Sequence, residues 1–376
     1  MLEVSDIFRA AAAAYRQVFG SRMPPTHLKA MRDIEQCRTS ALGGHLRRCD
    51  CCHKEQYSYH SCRNRHCPKC HTDQTRRWLH HQRSRLLSCP YFLLTFTLPA
   101  PLRRLARSHQ KLLYGILMTQ AAKALMKLAA DERYLGARPG VMAVLHTWTR
   151  AMLYHPHVHM LVTAGGLTRD GNHWRTPRHG DFLVPCRALS VIFRGKVRAA
   201  LKQAGFLDQV PGEVWRSNWV VHARHAGTGD KVLEYLSRYL FRIAMANSRL
   251  ESFRDGQVTF RYRDNRSGQT RRCTLTAQQF ISRFLQHVLP RGLTKVRYYG
   301  FYSPSRKADL DRTRCLLSGS QAAVPPGPVC DPPAITITRT TSEVSPDAHP
   351  DDPPCPFCHL GILRLVAHPP RARCPP

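Results

Sequence analysis

Two short cysteine pairs lie close together near the N-terminus of this 376-residue chain. Cys49 and Cys52 form the first pair, and Cys67 and Cys70 form the second after fourteen intervening residues. A Cys-x2-Cys pair places two thiolates on one tight turn, and two such pairs complete the tetrahedron that zinc prefers. We therefore predict a small zinc-ribbon-like module with these four ligands. Cys51 lies inside the first pair and could replace one ligand in a shifted register.

Other metal-binding side chains surround these two pairs. Four of them suit a second site with two cysteine and two histidine ligands, although their loose spacing specifies little: Cys37, His45, Cys62 and His66. Near the C-terminus, Cys355 and Cys358 form an isolated pair, with Cys374 or His368 as further candidates. No secretory leader is recognisable, so we expect a cytoplasmic protein whose fifteen cysteines bind metal rather than form disulfides.

The chain is strongly basic. Its 57 Lys and Arg residues outnumber its 25 Asp and Glu residues, which gives a formal net charge of +32. Such a charge favours a polyanionic partner, and the abundance of arginine favours nucleic acid because guanidinium groups make paired hydrogen bonds with phosphates. No apolar run is long enough to cross a bilayer, and we expect no membrane partner. The cations predicted to contact DNA are Arg63, Arg65, Lys69, Arg76, Arg77 and Arg238.

A short histidine-rich run reads His155-Pro-His-Val-His159. In an extended strand alternate side chains share one face, so His157 and His159 point the same way and can hold a divalent cation. Such residues can also be a partly buried, hydrogen-bonded pair without a metal. A third ligand is expected from the neighbouring strand of a hairpin. His146 is the candidate there, with His155 as second choice because Pro156 should break the strand.

Tyr235 and Tyr239 lie in a segment predicted to be helical, residues 229–245. Residues four apart share one helix face, so the two phenols stack one turn apart. Apolar helices also carry such tyrosines as ordinary core packing. In a basic chain with a histidine pair, phenols beside a metal-polarised phosphate indicate covalent cutting of a nucleic-acid strand.

The sequence divides into four predicted regions. They are a helical leader (residues 1–36), the zinc-binding module (37–75), a main domain (76–305) and a largely disordered tail (306–376). Within the main domain, residues 90–99 are predicted to be a buried strand. The predicted hairpins join residues 140–147 with 157–163 and residues 257–263 with 270–275. Further helices are predicted for residues 104–132, 185–204 and 276–289.

In combination these motifs resemble the two-tyrosine rolling-circle transposases of the IS91 type, which belong to the superfamily of His-hydrophobe-His endonucleases. The resemblance covers about residues 30–302 and includes the cysteine module, which is similar to the zinc-binding domain of that family. Its other motifs are residues 143–148, 155–159, 165–166, 235–250 and 296–300. The resemblance implies an α+β fold, in which an antiparallel sheet flanked by helices forms a ferredoxin-like palm.

The resemblance also implies roles for the site residues. His157 and His159 would be ligands of a catalytic Mg²⁺ or Mn²⁺, and Tyr235 and Tyr239 would be the nucleophiles. His146 stays an inference from strand geometry. The implied reaction nicks and rejoins single-stranded DNA through a 5′-phosphotyrosine, while the zinc module, with structural Zn²⁺, recognises transposon-end hairpins. The chain has no G-x4-G-K-[ST] loop, so we expect a host helicase and the replication machinery to supply unwinding.

Two alternatives stay open at the level of sequence. One is a plasmid or phage replication initiator or relaxase with the same chemistry, although the zinc module and the missing helicase motif argue against it. The other is a non-catalytic, zinc-dependent DNA-binding regulator. Single-tyrosine relatives carry a polar residue at the position of Tyr239, so the sequence leaves open whether both phenols attack.

Overall fold

The computed structural model describes residues 2–83, 85–228, 231–232, 244–264, 267–319 and 352–371, without the side chains of residues 72, 73 and 76. Tyr235, Tyr239, Arg238 and most of the predicted helix at residues 229–245 lie outside these ranges. Within them, no helix combines the length and the apolar character needed to cross a membrane.

The described chain alternates between helices and antiparallel strands. The described helices are α1 (Val4–Phe19), α2 (Pro25–Gln36), α3 (Pro68–Arg83), α4 (Leu102–Ser108), α5 (Gln110–Ala129), α6 (Cys186–Gln203), α7 (Ala277–Leu285) and α8 (Lys307–Leu317). The described strands are β1 (Gly44–Cys49), β2 (Glu55–Tyr59), β3 (Tyr91–Thr97), β4 (Gly140–Trp148), β5 (Tyr154–Thr163), β6 (Gly166–Leu167), β7 (Trp174–Arg175), β8 (Val221–Gly227), β9 (Leu250–Arg254), β10 (Gln257–Arg263), β11 (Thr270–Thr276), β12 (Val296–Gly300) and β13 (Leu363–Ala367).

The main sheet has five strands in the order β12-β4-β5-β3-β8, and every neighbouring pair is antiparallel. The strand predicted at residues 90–99 is β3, and the first predicted hairpin is β4 with β5. The prediction that Pro156 breaks the second strand is wrong, because β5 begins at Tyr154. Pro156 lies opposite Leu98, just beyond the end of β3, so the one ladder bond that its missing N–H cannot make falls at the edge of the pairing. Its carbonyl still accepts the Leu98 N–H at 3.2 Å.

Side chains of the three central strands alternate between the two faces of this sheet. One face packs against α4, α5 and α6 and carries Phe92, Leu94, Phe96, Val141, Ala143, Leu145, Val158, Met160 and Val162. The intervening residues face the other way. These include Met142, Val144 and Leu161, which belong to a separate apolar cluster. The three histidines named above have the same parity, so the site lies on the face away from the main helical core.

The predicted helices of the main domain form with small changes. The helix predicted at residues 104–132 is two helices, α4 and α5, because the backbone at His109 (φ −122°, ψ 51°) leaves the helical region. The helix predicted at residues 185–204 is α6, and the one predicted at 276–289 is the shorter α7. Thr276 caps α7 in a capping box with Gln279, which fixes its start.

The predicted helical leader, residues 1–36, is part of a second hydrophobic core. Helices α1 and α2 pack with α7 and with the sheet β11-β10-β9, whose strands β10 and β11 are the second predicted hairpin. Phe8 of α1 meets Phe284 of α7 edge-on, with ring centroids 5.3 Å apart. Cys37, Cys67 and Cys70 are buried in the same core. Part of the cysteine module therefore shares one hydrophobic core with residues more than two hundred positions further along the chain.

The C-terminal region is more ordered than predicted. Residues 307–317 form α8, and β13 pairs antiparallel with β1 to give the sheet β13-β1-β2. The prediction of a largely disordered tail is therefore wrong for residues 307–317 and 352–371. Backbone pairing with the cysteine module supplies the hydrogen bonds that order β13.

Candidate catalytic centre and metal sites

Three histidines cluster on the face of the β4–β5 hairpin that points away from the main helical core. His146 lies opposite His157 in the strand register, and His159 is two residues further along β5. The ring centroids of His146 and His159 are 4.7 Å apart, and those of His157 and His159 are 4.8 Å apart. One nitrogen from each ring lies within 4.8 Å of the others. The structure thus brings together the predicted pair and the predicted third candidate.

Hydrogen bonds to the backbone and to β3 orient two of the rings. Nδ1 of His157 donates to the carbonyl oxygen of His155 at 2.7 Å, which leaves Nε2 available as a ligand atom. Nδ1 of His159 lies 3.0 Å from Oγ1 of Thr95. His155, the second-choice ligand, is outside the cluster of candidate donors and orients a donor instead. A hydrogen bond to the ring nitrogen that does not face the metal is typical of histidines that bind metals.

The protonation state of the cluster suits metal binding. Burial lowers the pKa of His157 to about 4 and the pKa of His159 well below its usual value. A lowered pKa means that the neutral ring persists at neutral pH, with a lone pair on one nitrogen. His157 and His159 are therefore neutral nitrogen donors at neutral pH. His146 is itself 4% exposed.

Aromatic and basic groups extend the site beyond the histidines. His146 stacks on Trp148 with an interplanar angle of 18°, and the ammonium of Lys295 lies 5.1 Å from the centre of the Trp148 ring. Burial, together with the charge of Arg65, lowers the pKa of Lys295 to about 7. Nδ1 of His287 lies 3.2 Å from the Thr147 hydroxyl, and its Nε2 lies 3.2 Å from the carbonyl oxygen of Met152. Trp148, Lys295 and His287 form a wall beside the candidate metal ligands.

A cavity of about 200 Å³ lies against this wall. It is lined by Trp148, by His287 and Lys295, and by Arg65 and His66 from the cysteine module. The cysteine module therefore contributes to the surroundings of the histidine cluster. Sequence reasoning missed this relationship, because the residues come from three distant parts of the chain.

Thr95 is a site residue that sequence reasoning could have found. It is polar within the apolar run Tyr91-Phe-Leu-Leu-Thr-Phe96, and β3 pairs it directly with His159. A polar side chain on the histidine face of a neighbouring strand is a natural partner for a ligand. Lys295 and His287 carried no comparable signal, because they lie in connections whose placement depends on the tertiary fold.

The cysteines assemble into two clusters that differ from the predicted ligand sets. The first contains Cys37, Cys62, Cys67 and Cys70, and the second contains Cys49, Cys52, Cys355 and Cys358. The predicted tetrahedron is thus divided, because the hairpin of β1 and β2 carries its own cysteine pair away from the pair at the start of α3. Cys37 and Cys62 do join a cluster, but they join Cys67 and Cys70.

The two histidines predicted for a second zinc site have other contacts. Nδ1 of His45 lies 3.0 Å from Nδ1 of His368, and Nε2 of His66 accepts the Leu289 N–H at 3.2 Å. Cys51 is exposed and outside both clusters, and Cys374 is not among the described residues. Both candidate zinc sites are therefore built from four thiols.

Sulfur separations in the first cluster are short. Sγ of Cys70 lies 3.5 Å from Sγ of Cys37 and 3.5 Å from Sγ of Cys62. Hydrogen bonds with Cys62 and Cys67 lower the pKa of Cys37 to about 7. Four converging thiols, one already favouring its thiolate form, are the donor set that structural zinc requires.

The predicted DNA-contacting cations fall into different environments. The Arg65 guanidinium donates to the carbonyl oxygens of Leu289, Pro290 and Leu293 at 3.3, 2.9 and 2.6 Å. Lys69 forms an ion pair with Glu3 at 2.5 Å. Both cations therefore make contacts within the protein. Arg63 and Arg77 are exposed, the Arg76 side chain is not described, and Arg238 is outside the described ranges.

Comparison with known proteins agrees with this architecture. Residues 140–309 match a family described as putative transposase, and residues 7–98 match one described as transposase zinc-binding domain. The putative transposase y4qJ of Sinorhizobium fredii is 39% identical over 342 residues, which cover 85% of each chain. The transposase for insertion sequence element IS801 of Pseudomonas savastanoi pv. phaseolicola is 31% identical over 300 residues, covering 72% of this chain and 71% of that protein. No solved structure gives a significant match.

The matched regions define a class, transposases that combine a catalytic domain with a zinc-binding domain. Within this class, the chain belongs to the IS91 family of two-tyrosine transposases. The resemblance seen in the sequence is thereby confirmed. The four-thiol clusters agree with the zinc-binding domain, although one of them also uses residues beyond its matched range.

Proposed function

We propose that this transposase nicks and rejoins single-stranded DNA through a 5′-phosphotyrosine, with a divalent metal ion, in rolling-circle transposition. The observation that carries the proposal is the convergence of His146, His157 and His159, whose candidate ligand nitrogens lie within 4.8 Å of one another. Because burial keeps His157 and His159 neutral, their lone pairs are available to a cation rather than to protons.

The donor set bears on the choice of metal. Mg²⁺ binds almost entirely through oxygen, whereas imidazole nitrogen suits transition metals. Of the two ions expected, Mn²⁺ therefore fits His146, His157 and His159 better than Mg²⁺. When bound, the ion would polarise a non-bridging oxygen of the scissile phosphate. The Thr95 hydroxyl and the His155 carbonyl keep two of the rings oriented for this purpose.

Tyr235 and Tyr239 are the proposed nucleophiles. The phenolate oxygen forms a bond to phosphorus, the bond from phosphorus to the 3′-oxygen breaks, and that oxygen takes a proton to become a free hydroxyl. In the reverse step a 3′-hydroxyl attacks the phosphotyrosine and restores the phenol, so rejoining needs no ATP.

Positive charge supports single-stranded DNA and transposon-end hairpins as substrates. The net charge of +32 favours counterion release on binding, and exposed Arg63 and Arg77 are candidate phosphate contacts together with Arg76 and Arg238. Unwinding would come from a host helicase and the replication machinery. Arg65 and Lys69 are left out of this interface because their charges are engaged within the protein.

The test is covalent adduct formation with a single-stranded oligonucleotide from the end of the element. We expect a Mn²⁺-dependent protein–DNA adduct on denaturing gels, lost in His157→Ala and His159→Ala but retained in His155→Ala, whose backbone carbonyl is unchanged. Adduct formation by His157→Ala in the presence of chelator would contradict the proposal. A regulator would bind DNA without any adduct, and an initiator or relaxase would fail to join two transposon ends.

A further inference from the structure

A four-thiol cluster unites the two ends of the described chain. Cys49 and Cys52 come from the hairpin of β1 and β2, and Cys355 and Cys358 come from the segment before β13. Sγ of Cys49 lies 3.7 Å from Sγ of Cys358, and Sγ of Cys52 lies 3.7 Å from Sγ of Cys355. Four sulfurs held about 2.3 Å from a central zinc ion at tetrahedral angles are about 3.8 Å apart. The cluster therefore has the dimensions of a zinc site.

Backbone N–H groups point to sulfur atoms in both thiol pairs. The Cys52 N–H points to Sγ of Cys49 at 3.4 Å, as does the neighbouring N–H of Cys51. In the second pair each thiol receives one such donor, the Phe357 N–H on Cys355 at 3.4 Å and the Gly361 N–H on Cys358 at 3.5 Å. Such donors favour the thiolate over the thiol, and zinc binds the thiolate.

The apolar core around this cluster is very small. Its buried members are Cys49, Cys355 and Leu363, with Cys52 and Cys358 packed against them. Burial of one leucine does not offset the conformational entropy of ordering residues 352–371. In so small a unit the missing free energy is normally supplied by metal binding.

Pairing with β1 specifies where the C-terminal segment lies. The Asp50 N–H donates to the Ile362 carbonyl at 3.1 Å, and the Ile362 N–H donates to Oδ1 of Asp50 at 2.7 Å. Oδ2 of Asp50 also meets Arg364 at 3.4 Å. Gly361 has no room for a side chain, because a Cβ there would lie 2.6 Å from Sγ of Cys49. The fit is specific, although the two cysteine pairs are about three hundred residues apart.

We propose that Cys49, Cys52, Cys355 and Cys358 bind one zinc ion that fastens the C-terminal segment to the N-terminal zinc-binding domain. Cys355 and Cys358 lie outside both matched family regions, residues 7–98 and 140–309. The zinc-binding domain of this chain is therefore completed from the far end of the sequence. The separate cluster of Cys37, Cys62, Cys67 and Cys70 binds a second zinc ion independently.

The first test is zinc content, measured by elemental mass spectrometry on the purified full chain under reducing conditions. We expect two zinc ions per chain, and one in the double variant Cys355→Ser/Cys358→Ser. The matched control is Cys186→Ser/Cys315→Ser, which removes two thiols outside both clusters and should retain two ions. Two ions in the Cys355→Ser/Cys358→Ser variant, or one in the native chain, would overturn the proposal.

A second test needs no cysteine substitution. A protease recognition sequence is inserted between residues 335 and 336, the full chain is cleaved, and gel filtration is run in reducing buffer with or without a zinc chelator. We expect the C-terminal fragment to co-elute with the remainder in zinc and to separate in chelator. If the C-terminal fragment separates in the presence of zinc, or if it co-elutes with the remainder even in chelator, zinc does not fasten the two parts together. Neither measurement involves DNA cleavage, so the result is independent of the proposed chemistry.

Discussion

His146 of β4 lies directly opposite His157 of β5, with ring centroids 5.4 Å apart. The pairing is antiparallel, so both side chains stand on the face of the sheet opposite α5 and α6. A ligand from each strand means that the geometry of the cluster depends on the hairpin register and not on a mobile loop. This rigidity is what a site for in-line phosphoryl transfer needs.

His146→Ala should abolish Mn²⁺-dependent adduct formation while leaving the fold intact. Removal of one of three donors would cost several kcal/mol of transition-state stabilisation, which corresponds to a rate loss of roughly a hundredfold or more. The measurement is the single-turnover rate of adduct formation at saturating oligonucleotide. His155→Ala is the control on the same sheet. Equal rates for His146→Ala and the native chain would remove His146 from the site.

Thr95→Val should weaken metal binding without removing a ligand. The Thr95 hydroxyl is the partner of Nδ1 of His159, and loss of such a partner typically lowers metal affinity by about 10–100-fold. The expected result is a higher Mn²⁺ concentration for half-maximal activity with a smaller change at saturating Mn²⁺. Thr270→Val, at an exposed position of β11 away from the histidine cluster, is the matched control. If both variants shift the Mn²⁺ dependence equally, the Thr95 contact has no specific role.

The double variant Tyr235→Phe/Tyr239→Phe should form no covalent DNA adduct. At least one single variant should retain adduct formation, with Tyr235 favoured as the first nucleophile by its position in single-tyrosine relatives. Phe lacks the attacking oxygen but preserves the packing of the ring, so DNA binding should persist. Peptide mapping of the adduct identifies the nucleophile, and Tyr262→Phe on β10 is the control. An adduct mapped to another tyrosine would overturn the assignment.

Arg65→Ala should lower the stability of the protein, whereas Arg77→Ala should weaken DNA binding and leave stability almost unchanged. Arg65 satisfies three carbonyl oxygens, so its removal should lower the free energy of unfolding by about 1–3 kcal/mol. Exposed Arg77 should leave stability within about 0.5 kcal/mol of the native chain. In DNA binding, Arg77→Ala should reduce the slope of log binding constant against log salt concentration by about one, which corresponds to the loss of one phosphate contact.

Urea unfolding and salt-titrated binding to a single-stranded oligonucleotide measure the two effects separately. A stable Arg65→Ala variant with a reduced salt slope would assign Arg65 to the DNA interface, as its position among the cysteines first suggested. An unchanged slope in Arg77→Ala would remove Arg77 from that interface.

Local patterns determined a large part of the fold. Strand-length apolar runs predicted β3 and the hairpin of β4 with β5, and alternation of polar and apolar residues predicted the hairpin of β10 with β11. The two-residue period of a strand placed His157 and His159 on one face. His146 was inferred because the neighbouring strand of a hairpin is the natural source of a third ligand, and β4 does place it opposite His157.

The sequence by itself also predicted that cysteine pairs would supply metal ligands, since a Cys-x2-Cys turn positions two thiolates locally. Which pairs meet was decided only by the tertiary structure. Cys67 and Cys70 turn toward Cys37 at the end of α2, whereas Cys49 and Cys52 meet a pair from the C-terminal segment. Likewise, only the folded chain brings Arg65 to three backbone carbonyls. A tetrahedral site constrains its four donors in space but not their separation along the chain, so spacing alone could not decide among the pairings.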